Sequence, residues 1–414
     1  MSETTTCAII GGGPAGMVLG LLLARAGVEV TVLEKHADFL RDFRGDTVHP
    51  STLALLDELG LGECFAALPH NRVERLAFEL PGGRRVPLGD FSRLRVAHPY
   101  VAMVPQWDLL NLLARAGQEE RAFTLRMSTE ATGLLRENGR VAGVRYSGPD
   151  GPGELRADLT VACDGRWSLA RRDSGLRVRE FPVGIDVWWF RVPVQGAVPS
   201  SLTPRFGRGK AIAMIPREGY LQIAYLGHKG GDAALRARGV EAFRRDVVEV
   251  APELDGAIDA LVSMDDVKHL DVRLNRLRRW HTAGLLCIGD AAHAMSPVGG
   301  VGINLAVQDA VAAARLLAAP LRRHRVTGRD LDAVRRRRLL PTAVTQGLQR
   351  LLHRRLMEPV LDDRTLAPPK LLLALLAAVP ALSAVPAYII GVGVRPERAP
   401  VFARRAPRKP SRSA

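Results

Sequence analysis

The run Gly11-Gly12-Gly13-Pro14-Ala15-Gly16 constrains this 414-residue chain more than any other feature. It follows an apolar segment, Cys7–Ile10, that is too short for a helix. It opens Gly13–Ala26, whose apolar residues fall at helical spacing and which stops at Gly27. Strand, glycine turn and helix in that order begin a doubly wound α/β sheet. Gly11 permits the tight turn, and Gly13 lets backbone N–H groups approach a pyrophosphate as Pro14 and Ala15 open the helix. Gly16 and Gly20 let that helix lie close on the strand. The phosphate charge then sits on the positive helix end. A second strand-like run, Glu29–Leu33, leads to Glu34 and Lys35. Glu34 stands 23 residues after Gly11, where a carboxylate accepts both ribose hydroxyls. An acid there disfavours a 2′-phosphate, so the spacing predicts bound FAD or NAD rather than NADP.

Helical spacing continues over Ser51–Leu59, with Ser51 as the expected N-cap, and over Gln106–Glu120. Arg72–Leu80 and Arg84–Leu88 read as one hairpin. Ala131–Tyr146 reads as another, turning at Asn138-Gly139, the favoured type I′ pair. Leu155–Cys163 is a strand. The middle of the chain differs: Gly184–Val194, Lys210–Ile215 and Tyr220–Leu226 suggest an antiparallel sheet rather than βαβ repeats. Leu285–Ile288 is again a short buried strand, and a long helix begins near Gly302. The remaining eighty-odd residues read as helical and Arg-rich, with the final dozen frayed.

Lys and Arg number 58 against 43 Asp and Glu, a net charge of +15, and only 6 of the 58 are Lys. Such a chain attracts anions, but nucleic-acid binders interleave cations with aromatics. Aromatics are 5% here, so no nucleic-acid partner is expected. Cys7, Cys64, Cys163 and Cys287 form neither a CxxC pair nor a metal-ligand spacing. No metal is expected, and with no leader-like N-terminus the chain is read as cytoplasmic. Residues 371–394 lack charge, but Pro380 and Pro386 cut them into pieces shorter than the roughly 20 apolar residues a membrane span needs. Packed or entrance-lining helices are expected there, with peripheral membrane contact as the alternative.

Two later segments carry the most specific chemistry. One is Cys163-Asp164-Gly165-Arg166-Trp167-Ser168-Leu169-Ala170-Arg171. The other runs from Gly289-Asp290-Ala291-Ala292-His293 through Pro297, Gly299-Gly300, Gly302, Ile303 and Asn304, then Asp309-Ala310. With the glycine turn, they resemble the para-hydroxybenzoate-hydroxylase-like flavoprotein monooxygenases, the class A aromatic hydroxylases. The resemblance covers roughly Cys7 to Leu317 and is weaker in the middle. The second segment matches the family's GDAAHxxxPxxGxGxN at every fixed position. The first is similar to DGxxSxxR, with Ala170 where the family usually has Val.

The resemblance implies FAD as cofactor and NADH or NADPH as co-substrate. The implied fold is α/β: a doubly wound Rossmann-type FAD-binding domain (1–71, 100–175 and 275–330), an interleaved antiparallel-sheet substrate domain (72–99 and 176–274) and a helical C-terminal region (331–414). Asp290, after the strand that ends in Gly289, is expected at the ribityl hydroxyls. Pro297 would press on the isoalloxazine, and Gly300 and Gly302 would admit the flavin edge to N–H groups at a helix start. Those donors and the helix dipole would stabilise reduced flavin. Arg44-Gly45 and Gln106 look like the family's nucleotide contacts, and Asp164-Gly165 lies at the nucleotide cleft. His293 is expected to be structural.

The implied reaction is hydroxylation or epoxidation of a lipophilic, aromatic, phenolic or polyketide-like substrate through a flavin C4a-hydroperoxide formed with O₂. Trp188, Phe190, Met214, Gln222 and Tyr225 are the candidate substrate wall. Tyr220 and His49 join Pro297 as catalytic candidates, while Arg191, Arg217 and His228 could meet an acidic group. Such a protein would work as a monomer or homodimer. Halogenases of related fold carry a Trp-x-Trp-x-Ile-Pro segment, a spacing absent from Val187–Pro193. A flavin-dependent reductase of isoprenoid double bonds and a non-catalytic FAD-binding protein remain as alternatives.

Overall fold

The computed structural model describes residues 3–40, 47–79, 85–194, 203–207, 209–217, 219–362 and 383–408. Its larger sheet has five adjacent parallel strands, in the order Leu285–Cys287, Gly151–Ala162, Glu3–Ile10, Val30–Leu33 and Phe123–Arg126. The three central ones close on buried, largely apolar residues, Leu159–Ala162, Cys7–Ile10 and Val30–Leu33, because both faces are covered there. The helix Pro14–Arg25 is buried along its length, between Gly302–Arg322 and Gln106–Gln118. Glycine makes that fit obligatory. A Cβ on Gly16 would lie 2.0 Å from the Gly11 carbonyl oxygen, and one on Gly20 would lie 2.7 Å from the Phe123 ring. An antiparallel hairpin, Glu130–Glu137 and Arg140–Gly148, extends the sheet beside Gly151–Ala162. Asn138 (φ +48°) and Gly139 (φ +76°) occupy its turn, as type I′ requires.

A second sheet of seven strands runs Lys268–Leu270, Ile185–Pro193, Tyr220–His228, Lys210–Pro216, Thr203–Gly207, Arg75–Glu79, Arg85–Asp90. It is antiparallel except where Thr203–Gly207 meets Arg75–Glu79. One face buries Phe190, Ile212 and Ile223 against Phe243 and Val247 of the helix Gly239–Val250. Two small units complete the strands: the ribbon Val178–Phe181 with Leu274–Leu277, and a three-stranded piece, Thr47–Val48, Val101–Met103 and Asn71–Val73.

Some expectations change. The helix after His49 starts at Pro50, with His49 rather than Ser51 in the N-cap position. Proline suits the first helical position because its missing N–H would have no partner there. Ser51 instead donates to Asn304 Oδ1 at 2.8 Å, tying two helix starts together. The expected fraying does not extend to residues 403–408. Arg25 Nη1 donates to the Ala403 carbonyl, and the Arg405 and Arg408 N–H groups donate to the Glu58 and Gly60 carbonyls. Residues 371–382 lie outside the described residues. Beyond them Ala384–Gly391 is a helix whose Ala387 is buried beside Phe91 and Ile215. Among the described residues no helix is long and apolar enough to cross a membrane.

Candidate active site

Ala162 stands opposite both Ile10 and Cys287 in the parallel register, so three strands end side by side. The loops that follow them therefore meet, at the carboxyl edge where open α/β sheets bind ligands. Gly11 (φ +99°) is so close to the second loop that a Cβ would fall 2.6 Å from the Cys163 carbonyl oxygen. A Cβ on Gly289 (φ +58°) would lie 3.4 Å from that of Ala15. Arg166 reaches across from the second loop, its Nη2 3.6 Å from Asp290 Oδ2.

The surfaces facing this junction suit an elongated, hydroxyl-rich phosphate ester. A Cβ added at Gly13, Gly165 or Gly302 would meet nothing within 4 Å, so all three border open space. Buried Glu34 accepts from the Gly12 N–H at 2.8 Å and the His36 N–H at 3.1 Å. Those donors orient a carboxylate whose oxygens are of the type that accepts from ribose hydroxyls. Asp164 accepts from the Ala170 N–H through Oδ2, while Oδ1 is buried without a partner among the described residues. Burial raises its carboxyl above the ordinary range, against several hydrogen bonds, so a hydroxyl donor there would relieve an unmet acceptor. The N–H groups of Gly302, Ile303 and Asn304 lack partners in their helix and carry its positive end. This set fits FAD. Gln106 heads its helix half-buried, and Lys35 is exposed. Arg44 and Gly45 lie outside the described residues.

The loop between Ala294 and Gly302 is braced from both sides. Thr47 Oγ donates to the Gly300 carbonyl at 2.7 Å, and His49 Nε2 donates to the same oxygen at 3.0 Å. On the other side stands the helix Gly328–Leu352. Gln346 holds the Ala294 carbonyl, Gln349 holds those of Ser296 and Val298, and His353 Nε2 lies 2.8 Å from Ser296 Oγ. Pro297 sits half-buried at the centre, its carbonyl accepting from the Gly300 N–H. Burial pushes the His49 imidazole down to about 4, against the Gly300 hydrogen bond, so His49 is neutral at pH 7. It is a buried group that holds the Gly300 carbonyl of the loop. His293 is structural by geometry: its Nε2 lies 2.5 Å from Asp309 Oδ2, which also accepts from the Gly289 N–H. Burial works against the Asp309 carboxyl, but His293 and Arg338 hold it below its ordinary range.

The substrate candidates divide. Trp188 lies opposite Tyr225, and Met214 lies opposite Ile223, itself paired with Phe190. All four candidates share the face buried against Phe243, so Trp188, Phe190, Met214 and Tyr225 are core residues turned away from the loop. Gln222, opposite Arg191 and Ile215, and Tyr220, opposite Pro193, occupy the other face. That face meets the loop side of the molecule, where Leu226 and Ile185 cluster with Val298 and Met357. Trp189 belongs there too, clustered with Ile215, Phe91 and Val392, and its buried Nε1 has no partner among the described residues. Arg191 lies 5.1 Å from the Tyr220 ring. His228 is at the far end of its strand, against the Leu361 carbonyl. Reading missed Trp189, Thr47 and the Gln346, Gln349, His353 set. The last left a trace, uncharged polar residues at helical spacing in an Arg-rich helix.

Fold and site define a flavin-dependent oxidoreductase. A family model described as an FAD binding domain matches residues 3–347. The 6-methylpretetramide 4-monooxygenase of Streptomyces rimosus is 37% identical over 346 residues, covering 81% of this chain and 80% of that protein. A 12-dehydrotetracycline 5-monooxygenase/anhydrotetracycline 6-monooxygenase of Streptomyces rimosus subsp. rimosus is 30% identical, covering 73% of this chain and 60% of its own length. The structure of OxyS anhydrotetracycline hydroxylase from Streptomyces rimosus superposes with a TM-score of 0.75 at 26% identity, covering 98% of this chain and 80% of that one. PqsL of Pseudomonas aeruginosa, a probable FAD-dependent monooxygenase, shares the fold at a TM-score of 0.73 and 22% identity, covering 87% of this chain and 98% of that one. The chain belongs to this FAD-binding family of aromatic-hydroxylase-like proteins, and it is an FAD-dependent monooxygenase.

Proposed function

We propose that the chain uses NAD(P)H and O₂ to insert one oxygen atom into a lipophilic polycyclic or phenolic substrate. Its support is the braced loop Ser296–Gly302, whose Val298 clusters with Leu226 on the sheet face that also carries Trp189, Gln222 and Tyr220. The relative named for 6-methylpretetramide favours a polycyclic aromatic of polyketide type.

FAD, when bound, supplies electron transfer from NAD(P)H and the activation of O₂. In this reading Gly11, Gly13, Pro14, Ala15, Gly16, Glu34, Lys35, Arg44, Gly45 and Gln106 hold the adenylate half. Asp164, Gly165, Gly289 and Asp290 hold the middle; Pro297, Gly300, Gly302, Ile303 and Asn304 border the ring. Segments 72–99 and 176–274 supply the substrate wall, and Gln346, Gln349 and His353 brace the loop. Gln222 and Trp189 Nε1 offer directional contacts to substrate oxygens. Tyr220 would orient a phenol, with the Arg191 guanidinium over its ring. The apolar cluster of Phe91, Leu94 and Ile215 excludes water.

The test is a reduction screen on the purified yellow protein. An aromatic ligand should accelerate flavin bleaching by NADH or NADPH without oxygen, and in air the product should gain one oxygen atom. A product gaining two hydrogens would make the chain a reductase, and no ligand-stimulated turnover with any polycyclic phenol would refute the proposal. Asp290→Ala should weaken FAD binding by about tenfold or more; unchanged affinity would remove Asp290 from the site.

A further inference from the structure

Three guanidinium groups converge on the ring of Phe181. Arg350 lies 4.9 Å from its centroid, Arg179 5.1 Å and Arg276 5.7 Å. Arg179 and Arg276 stand directly opposite each other on the ribbon strands, a pairing that destabilises between like charges. Arg350 follows Gln349, the residue that grips the Ser296 and Val298 carbonyls. None of the three arginines makes an ion pair or a side-chain hydrogen bond to a described residue, and Arg350 Nε is buried without a partner. Arg179 is exposed and Arg276 and Arg350 are half-buried, whereas the fully buried Arg338 and Arg25 are matched by Asp309 and Glu120. Burial, and then the Arg179 charge, holds the Arg276 guanidinium below its ordinary range. One phenyl face attracts cations weakly and cannot neutralise three.

An anion would match the three charges. Three guanidinium forks suit phosphate oxygens, which accept parallel N–H bonds. The place suits the reaction as well. Phe181 packs in one cluster with Met295 and Val301, at the two ends of the braced loop. The glycine fingerprint occurs once in the sequence, so a second dinucleotide needs another means of docking. We infer that Arg179, Arg276 and Arg350 around Phe181 form a phosphate-binding site that docks the pyrophosphate of the reduced pyridine dinucleotide. The inference rests on the NAD(P)H reading above. Both NADH and NADPH carry that pyrophosphate; only NADPH carries a 2′-phosphate.

The test uses FAD-loaded protein and two readouts. In the first, inorganic pyrophosphate is titrated by calorimetry into the parent, Arg276→Gln and Arg355→Gln, the last an exposed arginine outside the cluster. In the second, KM for NADH and for NADPH is measured with a stimulating aromatic ligand. Pyrophosphate should bind the parent and Arg355→Gln, compete with both dinucleotides and raise the melting temperature. Arg276→Gln should lose that binding and raise both KM values about tenfold, the loss of one charge-assisted contact. It should keep its FAD and melt no lower than the parent, because it relieves repulsion. An effect on NADPH alone would overturn the pyrophosphate assignment in favour of the 2′-phosphate. Unchanged KM values, or no pyrophosphate binding by the parent, would overturn the site. If pyrophosphate binds through Arg276 while neither dinucleotide reduces the parent, the anion site stands and its assignment to the dinucleotide falls.

Discussion

Trp188 and Trp189 are neighbours in sequence and opposites in environment. Trp188 is 2% exposed, lies edge-on to Tyr225 and donates from Nε1 to Asp232 at 2.7 Å. Trp189 faces the loop side, with its indole N–H unpaired among the described residues. Period-two alternation separates them with certainty but does not say which face is which, because both faces of this strand carry large apolar side chains. Substitution can tell them apart. Phe190→Ala empties a fully buried site against Phe243 and should cost about 3–5 kcal/mol. The protein that still folds should keep its KM for the aromatic substrate. Gln222→Ala should raise that KM several-fold while stability changes by about 1 kcal/mol. Thermal melts and steady-state kinetics on the two variants check this, and exchanged phenotypes would reverse the assignment of faces.

The loop Ala294–Gly302 is where an element depends on parts remote in sequence. Its glycines and proline were legible, because left-handed turns and a helix start need those residue types. The parallel sheet was legible for a similar reason, since short apolar runs between helices leave few topologies. The braces were not. Thr47, Gln349 and His353 lie about 250 residues before or 50 after the loop atoms they meet, and the helical spacing of Gln346, Gln349 and His353 names no partner. The braces do carry a pH signature. Burial lowers the His353 imidazole to about 4, as it does that of His49, against an ordinary 6.5. The unfolded chain then binds more protons than the folded one between those values. The stabilisation is complete above about pH 6.5 and is lost as pH falls toward 4. The slope is at most about 1.4 kcal/mol per pH unit for each imidazole. His281 is shifted in the same direction, so a variant comparison is needed. Melting temperature should fall between pH 7 and pH 5 in the parent and fall less steeply in His353→Gln. Parallel profiles would mean that His353 does not titrate in this way.

Across the molecule, the carboxyl-terminal segment is joined to the cofactor cleft through buried charge. Glu397, 4% exposed, receives Arg337 through two hydrogen bonds of 2.6 and 2.8 Å. Its Oε1 also lies 3.8 Å from Arg338 Nη1, and Arg338 Nε donates to Asp309 at 3.0 Å. Asp309 in turn holds the Gly289 N–H, where the Asp290 loop begins. The tail thus reaches the cleft through a relay of ion pairs in addition to its apolar contacts. Removing one member of a buried pair leaves the other charged and unmatched, which costs about 3–5 kcal/mol. Glu397→Gln should therefore lower the melting temperature. Arg338 keeps Asp309 in that variant, so the Gly289 turn should survive and FAD affinity should stay within about twofold of the parent. Asp309→Asn breaks the relay at the cleft itself and should lose stability and FAD together. Melting curves and FAD titrations of both variants separate the cases. If Glu397→Gln sheds FAD as readily as Asp309→Asn, the tail acts on the cleft directly and the relay is not the route.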